Sequence, residues 1–220
     1  MRSQLRRLNG YKIDVCVANH CSGRHITVAD LGVSGNRQQT VISSKIRVCT
    51  NQDSQVLAET IRTSFQDVAE RFGLTKENAP RHPSSCTADW IREHIQRGLT
   101  YFAIENNSHV VGCVALERAN SDTGYLERLA VLPNQRRRGF GKALVEHALS
   151  EARRLGVSYV SIGIIAEHTE LKDWYKKLGF VEGESKEFSD LPFGVTFMSY
   201  AVSKTLRQCP PHDGGPCRSY

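Results

Sequence analysis

The sequence predicts an α/β fold of the α+β type, with about six to seven strands and about four helices. Segments with the period-2 alternation of strands and segments with the apolar stripe of helices follow one another in a mixed order. Three of the strand-like segments lie close together and are joined by short polar turns, which is typical of an antiparallel meander. With 220 residues, 40% of them hydrophobic, the chain is long enough to bury one core of ordinary size.

The first part of the domain predicts one strand and two helices. Residues 45–50 alternate as a strand. The first helix begins at a cap, Asp53 or Ser54, and ends before Gly73. A second, shorter helix begins at the cap Thr87 and carries its own apolar residues. The stripe of the first helix consists of Leu57, Ile61, Phe65, Val68 and Phe72.

The second part predicts six further strands and two further helices. One helix begins after Gly139 and ends before Gly156, and a shorter one covers residues 170–178, since glycine often follows the last helical residue. The predicted strands cover residues 101–105, 110–116, 125–132, 159–165, 180–188 and 195–203.

A basic turn with two glycines lies between a strand and a helix and predicts an anion site. The first backbone N–H groups of a helix have no intrahelical partner, and the helix dipole is positive there. Glycine lets a phosphate approach the bare backbone, and arginine adds positive charge beside it. The candidate binding residues are Arg136, Arg137, Arg138, Gly139, Phe140, Gly141 and Lys142.

Two common phosphate-binding motifs do not fit this turn. A Walker A loop requires glycine and a hydroxyl where the chain has Arg136 and Ala143, and a dinucleotide fingerprint requires glycine in place of Leu144. The remaining pattern is [QR]-x-x-G-x-[GA], filled by Arg136, Gly139 and Gly141.

This pattern resembles the pyrophosphate loop of the GNAT superfamily of N-acetyltransferases, and so does the element order over residues 45–203. The segment 174–180, Trp-Tyr-Lys-Lys-Leu-Gly-Phe, resembles a second motif of that family, although His168 and Leu171 stand where many members carry Asn and Ala. The resemblance implies a GNAT-like fold with a mixed central sheet that is splayed at the cofactor site. It also implies acetyl-CoA as acyl donor, with its pantetheine arm paired to the backbone of Leu129 and Val131.

Acetyl transfer to an amine by direct attack requires proton transfers at both reacting groups. By the second motif, Tyr175 is the candidate acid for the leaving thiolate, because a phenol (pKa ~10) and a thiol (~8.5) are nearly matched. The alternative is an aromatic side chain that only packs. Glu127 is the candidate base, since period-2 alternation predicts that it shares a strand face with Leu129 and Val131. The alternative is a glutamate in an ordinary salt bridge.

Charge and cysteine content limit the other functions. The net charge of +6 comes from residues 1–44, with +4, and residues 204–220, with +2; residues 45–203 have 20 basic and 20 acidic side chains. This balance disfavours a nucleic-acid surface on the domain. The scattered cysteines predict reduced thiols and no metal, even at the pair Cys16 and Cys21. Without an apolar run of ~18 residues, a cytoplasmic protein with no membrane contact is expected.

Several further expectations complete the hypothesis. Residues 1–44 are expected to form an extension outside the core, and their composition is compatible with disorder. Residues 204–220 are expected to form a flexible tail. Cys113 is expected to be a buried thiol and His82 a surface side chain, while Phe193 is a candidate wall of the acceptor pocket. The sequence does not identify the acceptor amine, which is a small molecule or a protein, and it is compatible with a homodimer. The alternative function is a non-catalytic acyl-CoA sensing module.

Overall fold

The computed structural model describes residues 44–202, so the predictions for the first 43 residues and for the C-terminal tail lie outside it. This part of the chain forms seven strands and four helices. They are β1 (Ser44–Val48), α1 (Ser54–Arg71), α2 (Ala88–Gln96), β2 (Thr100–Asn106), β3 (His109–Arg118), β4 (Thr123–Val131), α3 (Phe140–Arg154), β5 (Tyr159–Ile165), α4 (Thr169–Lys177), β6 (Val181–Lys186) and β7 (Val195–Ala201). The predicted element order is therefore confirmed, and β1 begins one residue before the expected domain boundary.

All seven strands form one mixed sheet in the order β1-β2-β3-β4-β5-β7-β6. The pairs β1–β2, β2–β3, β3–β4, β5–β7 and β6–β7 are antiparallel, and β4–β5 is parallel. The meander of β2, β3 and β4 was expected from their short connections. The parallel pair is joined by α3, as a crossover connection requires.

The helix ends follow the sequence signals closely, with one difference. The Thr87 hydroxyl accepts from the Trp90 N–H at the start of α2, as predicted. At α1, Asp53 is the N-cap residue, as predicted, but its side chain makes no capping hydrogen bond to α1. It accepts instead from the Thr50 N–H at 2.8 Å, in a capping box around a short 3₁₀ turn that leads into the helix.

Two apolar clusters cover the two faces of the sheet. One contains the buried side chains of α3 and α4, and the other contains those of α1 and α2. Alternating residues of the central strands contribute to each cluster in turn, as expected for strands that are covered on both faces. Within residues 44–202, no helix is both long and apolar enough to cross a membrane.

Candidate functional site

A cleft opens in the sheet where β4 and β5 separate. The two strands pair over residues 123–125 and 159–161. Beyond that point β4 follows β3 as far as Val131, while β5 follows β7 as far as Ile165. The splayed sheet that the family resemblance implied is therefore present.

The backbone of β4 offers polar groups to this cleft. The Leu132 N–H donates to the Val111 carbonyl of β3 at 3.0 Å. Because successive backbone groups point to opposite sides of a strand, the N–H and carbonyl of Val131 point away from β3, towards the cleft. The Val131 carbonyl accepts there from Arg136 Nε at 3.2 Å.

A β-bulge interrupts β4 next to the cleft. Glu127 lies opposite Ala115 and Ala130 lies opposite Cys113, so that two residues of β4 face the single Val114. The first of the two, Arg128, has a φ of +51°. That conformation is uncommon for a residue with a side chain and marks a place where the strand is re-aimed.

The bulge changes which side chains share a face, and it corrects one expectation. Leu129 and Val131 belong to the α3–α4 cluster, whereas Ala115 and Ala130 belong to the α1–α2 cluster. Directly opposed residues lie on the same face, so Glu127 shares the face of Ala115. The prediction that Glu127 lies on one face with Leu129 and Val131 is wrong, because the extra residue reverses the alternation between them. Glu127 is nevertheless deeply buried, with 2% of its surface exposed.

The glycine turn between β4 and α3, the predicted anion site, leads within residues 44–202 into a helix start without a side-chain cap. Arg137 and Gly139 both have left-handed backbones, with φ of +61° and +85°. Residues in such conformations next to helical ones turn successive N–H groups towards a common point. In the part of the chain that the structure describes, no side chain caps α3 and its first turn contains no acidic residue. The unsatisfied N–H groups at this helix start are thus suited to an external anion.

Arg136 holds the turn in place from behind. Its side chain is only 13% exposed and contacts α1: Nη1 donates to Asp67 Oδ2 at 2.5 Å, and Nη2 donates to the Ser64 carbonyl at 2.7 Å. Together with the bond to the Val131 carbonyl, these contacts tie the turn to both α1 and β4. The side chain of Arg136, which was expected beside the phosphate, is therefore an anchor of the loop.

The remaining cations of the turn are exposed. Arg138 donates to Gln135 Oε1 at 2.5 Å, and its guanidinium lies 5.3 Å from the centre of the Phe140 ring. Lys142 lies 3.7 Å from Glu146 on α3, with 61% of each side chain exposed. Ion pairs this exposed hold the lysine weakly, so its charge remains available to a ligand.

Tyr175 lies on α4 within the α3–α4 cluster and is fully buried. Its ring makes edge-to-face contacts with Trp174, 4.8 Å away, and with Phe180, 5.1 Å away. Such contacts fix the ring and thereby the direction of its hydroxyl. Tyr175 and Glu127 thus approach the sheet from opposite faces.

His168, just before α4, is a buried polar residue that the sequence reasoning noted only as a departure from the family. It is 1% exposed, and Nδ1 lies 3.4 Å from Glu170 Oε2. Burial, together with the nearby charge of Arg71, lowers the pKa of His168 below its ordinary 6.5, although Glu170 acts in the opposite direction. Arg71 also pairs with Glu170 at 3.1 Å, which joins the end of α1 to the start of α4. The signal that could have identified His168 was its place between β5 and α4, beside the cleft.

Two further expectations, for Cys113 and His82, have clear outcomes, and the pocket-wall role of Phe193 stays a prediction. Cys113 is buried, as predicted, and burial raises the pKa of its thiol well above the ordinary value. The expectation of a surface histidine is wrong at position 82: His82 is 5% exposed, packs edge-on against Phe65, and its Nδ1 lies 2.8 Å from Ser84 Oγ. Phe193 is half-buried and packs against the α1–α2 cluster. Among residues 44–202, no three His, Cys, Asp or Glu side chains are grouped so as to hold a metal.

Comparisons with known proteins show the family and the fold of this chain. An amino-acid acetyltransferase of Neisseria meningitidis is 30% identical over 101 residues, which are 45% of this chain and 22% of that protein, so the match spans about a fifth of that relative's length. The ribosomal-protein-S18-alanine N-acetyltransferase of Escherichia coli has the same fold, with a TM-score of 0.57 and 18% identity over 76% of this chain and 99% of that one. The structure of yncA from Salmonella typhimurium with its cofactor acetyl-CoA gives a TM-score of 0.55, with 19% identity over 74% and 96% of the two chains. The family model described as Acetyltransferase (GNAT) family matches residues 61–180, more than half of the sequence, and the chain belongs to that family.

Proposed function

We propose that this protein transfers the acetyl group of acetyl-CoA to a primary amine by direct attack. The observation that carries the proposal is the uncapped glycine turn at the start of α3, placed at the end of a strand that borders the open cleft. Membership of the GNAT family and the acetyl-CoA named in the yncA structure support the same donor.

In this proposal the backbone holds most of the donor. The N–H groups of residues 137–142 surround the pyrophosphate, and the outward cations of the turn, Arg138 and Lys142, add positive charge. The backbone of Leu129 and Val131 pairs with the pantetheine arm along the open edge of β4. Arg136 acts indirectly, because its bonds to α1 keep the turn in its binding shape.

The chemical step then requires two proton transfers. The amine nitrogen attacks the thioester carbonyl carbon, the carbon–sulfur bond breaks, and coenzyme A leaves as a thiolate. Glu127 takes the proton of the amine, and Tyr175 gives its phenolic proton to the thiolate. The two groups lie on opposite faces of the sheet, so each proton transfer is assigned to its own side chain.

The proposal extends to the organisation of the chain. Residues 45–203 form the acetyltransferase domain, with the segments 1–44 and 204–220 outside it, and the protein acts in the cytoplasm. The support for this location is that two described cysteines, Cys49 and Cys113, are free and buried thiols.

Thermal unfolding in the presence of acetyl-CoA tests donor binding. At 100 times the dissociation constant, a ligand that binds only the folded state stabilises it by about 2.7 kcal/mol, which raises the Tm of a domain of this size by about 5–10 °C. Gly141→Val is the control, because its side chain would occupy the place of the phosphate. An equal rise in a folded Gly141→Val protein, or no rise in the wild type, would contradict the proposal.

A further inference from the structure

The bulge in β4 brings two opposite charges to one face of the sheet. In a regular strand the side chains of residues 127 and 128 would point to opposite faces. Here Glu127 shares the α1–α2 face with Ala115, and the guanidinium of Arg128 lies 5.9 Å from the ring centre of Trp90, which belongs to α2. The strand therefore presents a carboxylate and a guanidinium from consecutive residues, beside the cleft.

The surroundings of Glu127 and Arg128 strengthen the interactions that their charges make. Arg128 is 4% exposed and Glu127 is 2% exposed, so both charges act in a region of low polarity, where electrostatic interactions are strong. Two half-buried aromatic residues, Trp90 and Phe193, pack against the same cluster. The φ of +51° at Arg128 is a strained conformation that residues with a side chain seldom adopt. Such strain is often retained at functional sites, where it places a side chain that a relaxed strand would direct elsewhere.

We propose that the acceptor is a zwitterionic amino acid, with its carboxylate held by Arg128 and its ammonium group by Glu127. The proposal rests on the acetyltransferase function given above and names its substrate class. An amino acid carries opposite charges on neighbouring atoms, which matches opposite charges on consecutive residues. Arginine is suited to the task because its planar fork can donate two parallel hydrogen bonds to a carboxylate.

Glu127 and Arg128 have separate tasks in the reaction. Glu127 first attracts the ammonium group and then removes its proton, so that the neutral nitrogen can attack the thioester carbonyl. The carboxylate of the acceptor stays unchanged on Arg128, and the products are an N-acetylamino acid and coenzyme A. The half-buried Trp90, whose ring centre lies 5.9 Å from the Arg128 guanidinium, places an apolar surface next to that charge, which suits the side chain of the amino acid.

A competing explanation is that Glu127 and Arg128 serve only to neutralise each other. In that case a carboxylate on the acceptor would bring no advantage, and amines without one would react equally well. The two explanations therefore differ in the substrate preference of the wild-type protein.

The test compares amino acids with their amides and with the amines that lack only the carboxylate, using coenzyme A release by the full-length protein. The wild type is expected to favour the amino acid by about 10- to 100-fold in kcat/KM, the usual worth of a hydrogen-bonded charge pair. Arg128→Gly should reduce this preference to within a few-fold, because glycine accepts the φ of the bulge and removes only the side chain. The control is Arg92→Gln, which removes an exposed arginine of α2 that pairs with Asp89 and should keep the full preference.

The outcomes separate this inference from the function on which it rests. Equal turnover of amino acids and their decarboxylated amines by the wild type overturns the inference and leaves the acetyltransferase intact. Retention of the full preference by a folded Arg128→Gly protein also overturns it. Acetyl-CoA binding without turnover of any amine refutes the acetyltransferase function itself. If Arg128→Gly does not fold, the comparison within the wild type still decides the matter.

Discussion

Adding a single methyl group to each glycine of the α3 turn should have opposite effects on stability at the two positions. Gly139 has a φ of +85°, and a Cβ built there meets no atom within 4 Å. The cost of Gly139→Ala is therefore purely conformational, about 1–2 kcal/mol. Gly141 lies inside α3 and is not among the glycines with positive φ. Gly141→Ala should instead stabilise the helix by up to about 1 kcal/mol, since alanine is the better helix former.

Acetyl-CoA binding should respond in the other direction at position 141. The new methyl group would stand at the N–H groups that face the pyrophosphate, and losing one hydrogen bond to a charged phosphate costs about 1.5–3 kcal/mol. Gly141→Ala should thus melt higher, by up to about 2–4 °C, and bind acetyl-CoA about 10- to 100-fold more weakly. Thermal unfolding and isothermal titration calorimetry measure the two quantities. A more stable Gly141→Ala protein with wild-type affinity would refute the phosphate assignment, and a less stable one would refute the helical conformation of Gly141.

Four other changes test the remaining parts of the account. Tyr175→Phe keeps the ring contacts but removes the acid, so kcat should fall by ~10²–10⁴ while the affinity for acetyl-CoA stays within a few-fold. Glu127→Gln should instead remove the acidic limb of the pH–rate profile. Wild-type behaviour in either variant would return that residue to a structural role. Because the pKa of His168 is lowered in the folded state, the unfolded chain binds a proton at this histidine first as the pH falls below 6.5, and the free energy of unfolding should decline there. Denaturant unfolding of His168→Gln should show a shallower decline with pH. An equal decline would contradict the lowered pKa of His168. A fragment of residues 45–203 should unfold cooperatively and bind acetyl-CoA, and loss of cooperative unfolding would show that the outer segments belong to the core.

Local patterns were sufficient to predict the elements of this fold. The strand alternation, the Thr87 cap and the glycine after each helix depend on interactions within a few residues, so the sequence carries them directly. The turn proposed as the anion site could be located for the same reason, because a strand, a glycine turn and a helix start are contiguous in the chain. The splay between β4 and β5 was expected only from the family resemblance, since it depends on how distant segments pair.

The errors have a common physical origin in contacts that are distant in sequence. One extra residue in β4 placed Glu127 on the opposite face from Leu129, and no local signal marks that bulge. Arg136 stays a predicted cofactor-binding residue, but its side chain bonds to Asp67, 69 positions away, and the local motif does not reveal that contact. His82 looked like a surface residue in a polar loop, but the packing of that loop against α1 buries it.

Acetyl transfer itself is tested most directly by following the label of [acetyl-¹⁴C]acetyl-CoA in the presence of a broad panel of amines, with coenzyme A thiol measured in the same samples. The account predicts that label appears on one class of amine in equal amount to the thiol released, and that release depends on the amine. Tight binding of acetyl-CoA with no labelled amine and no thiol release would contradict it and would identify the protein as a non-catalytic acyl-CoA sensing module.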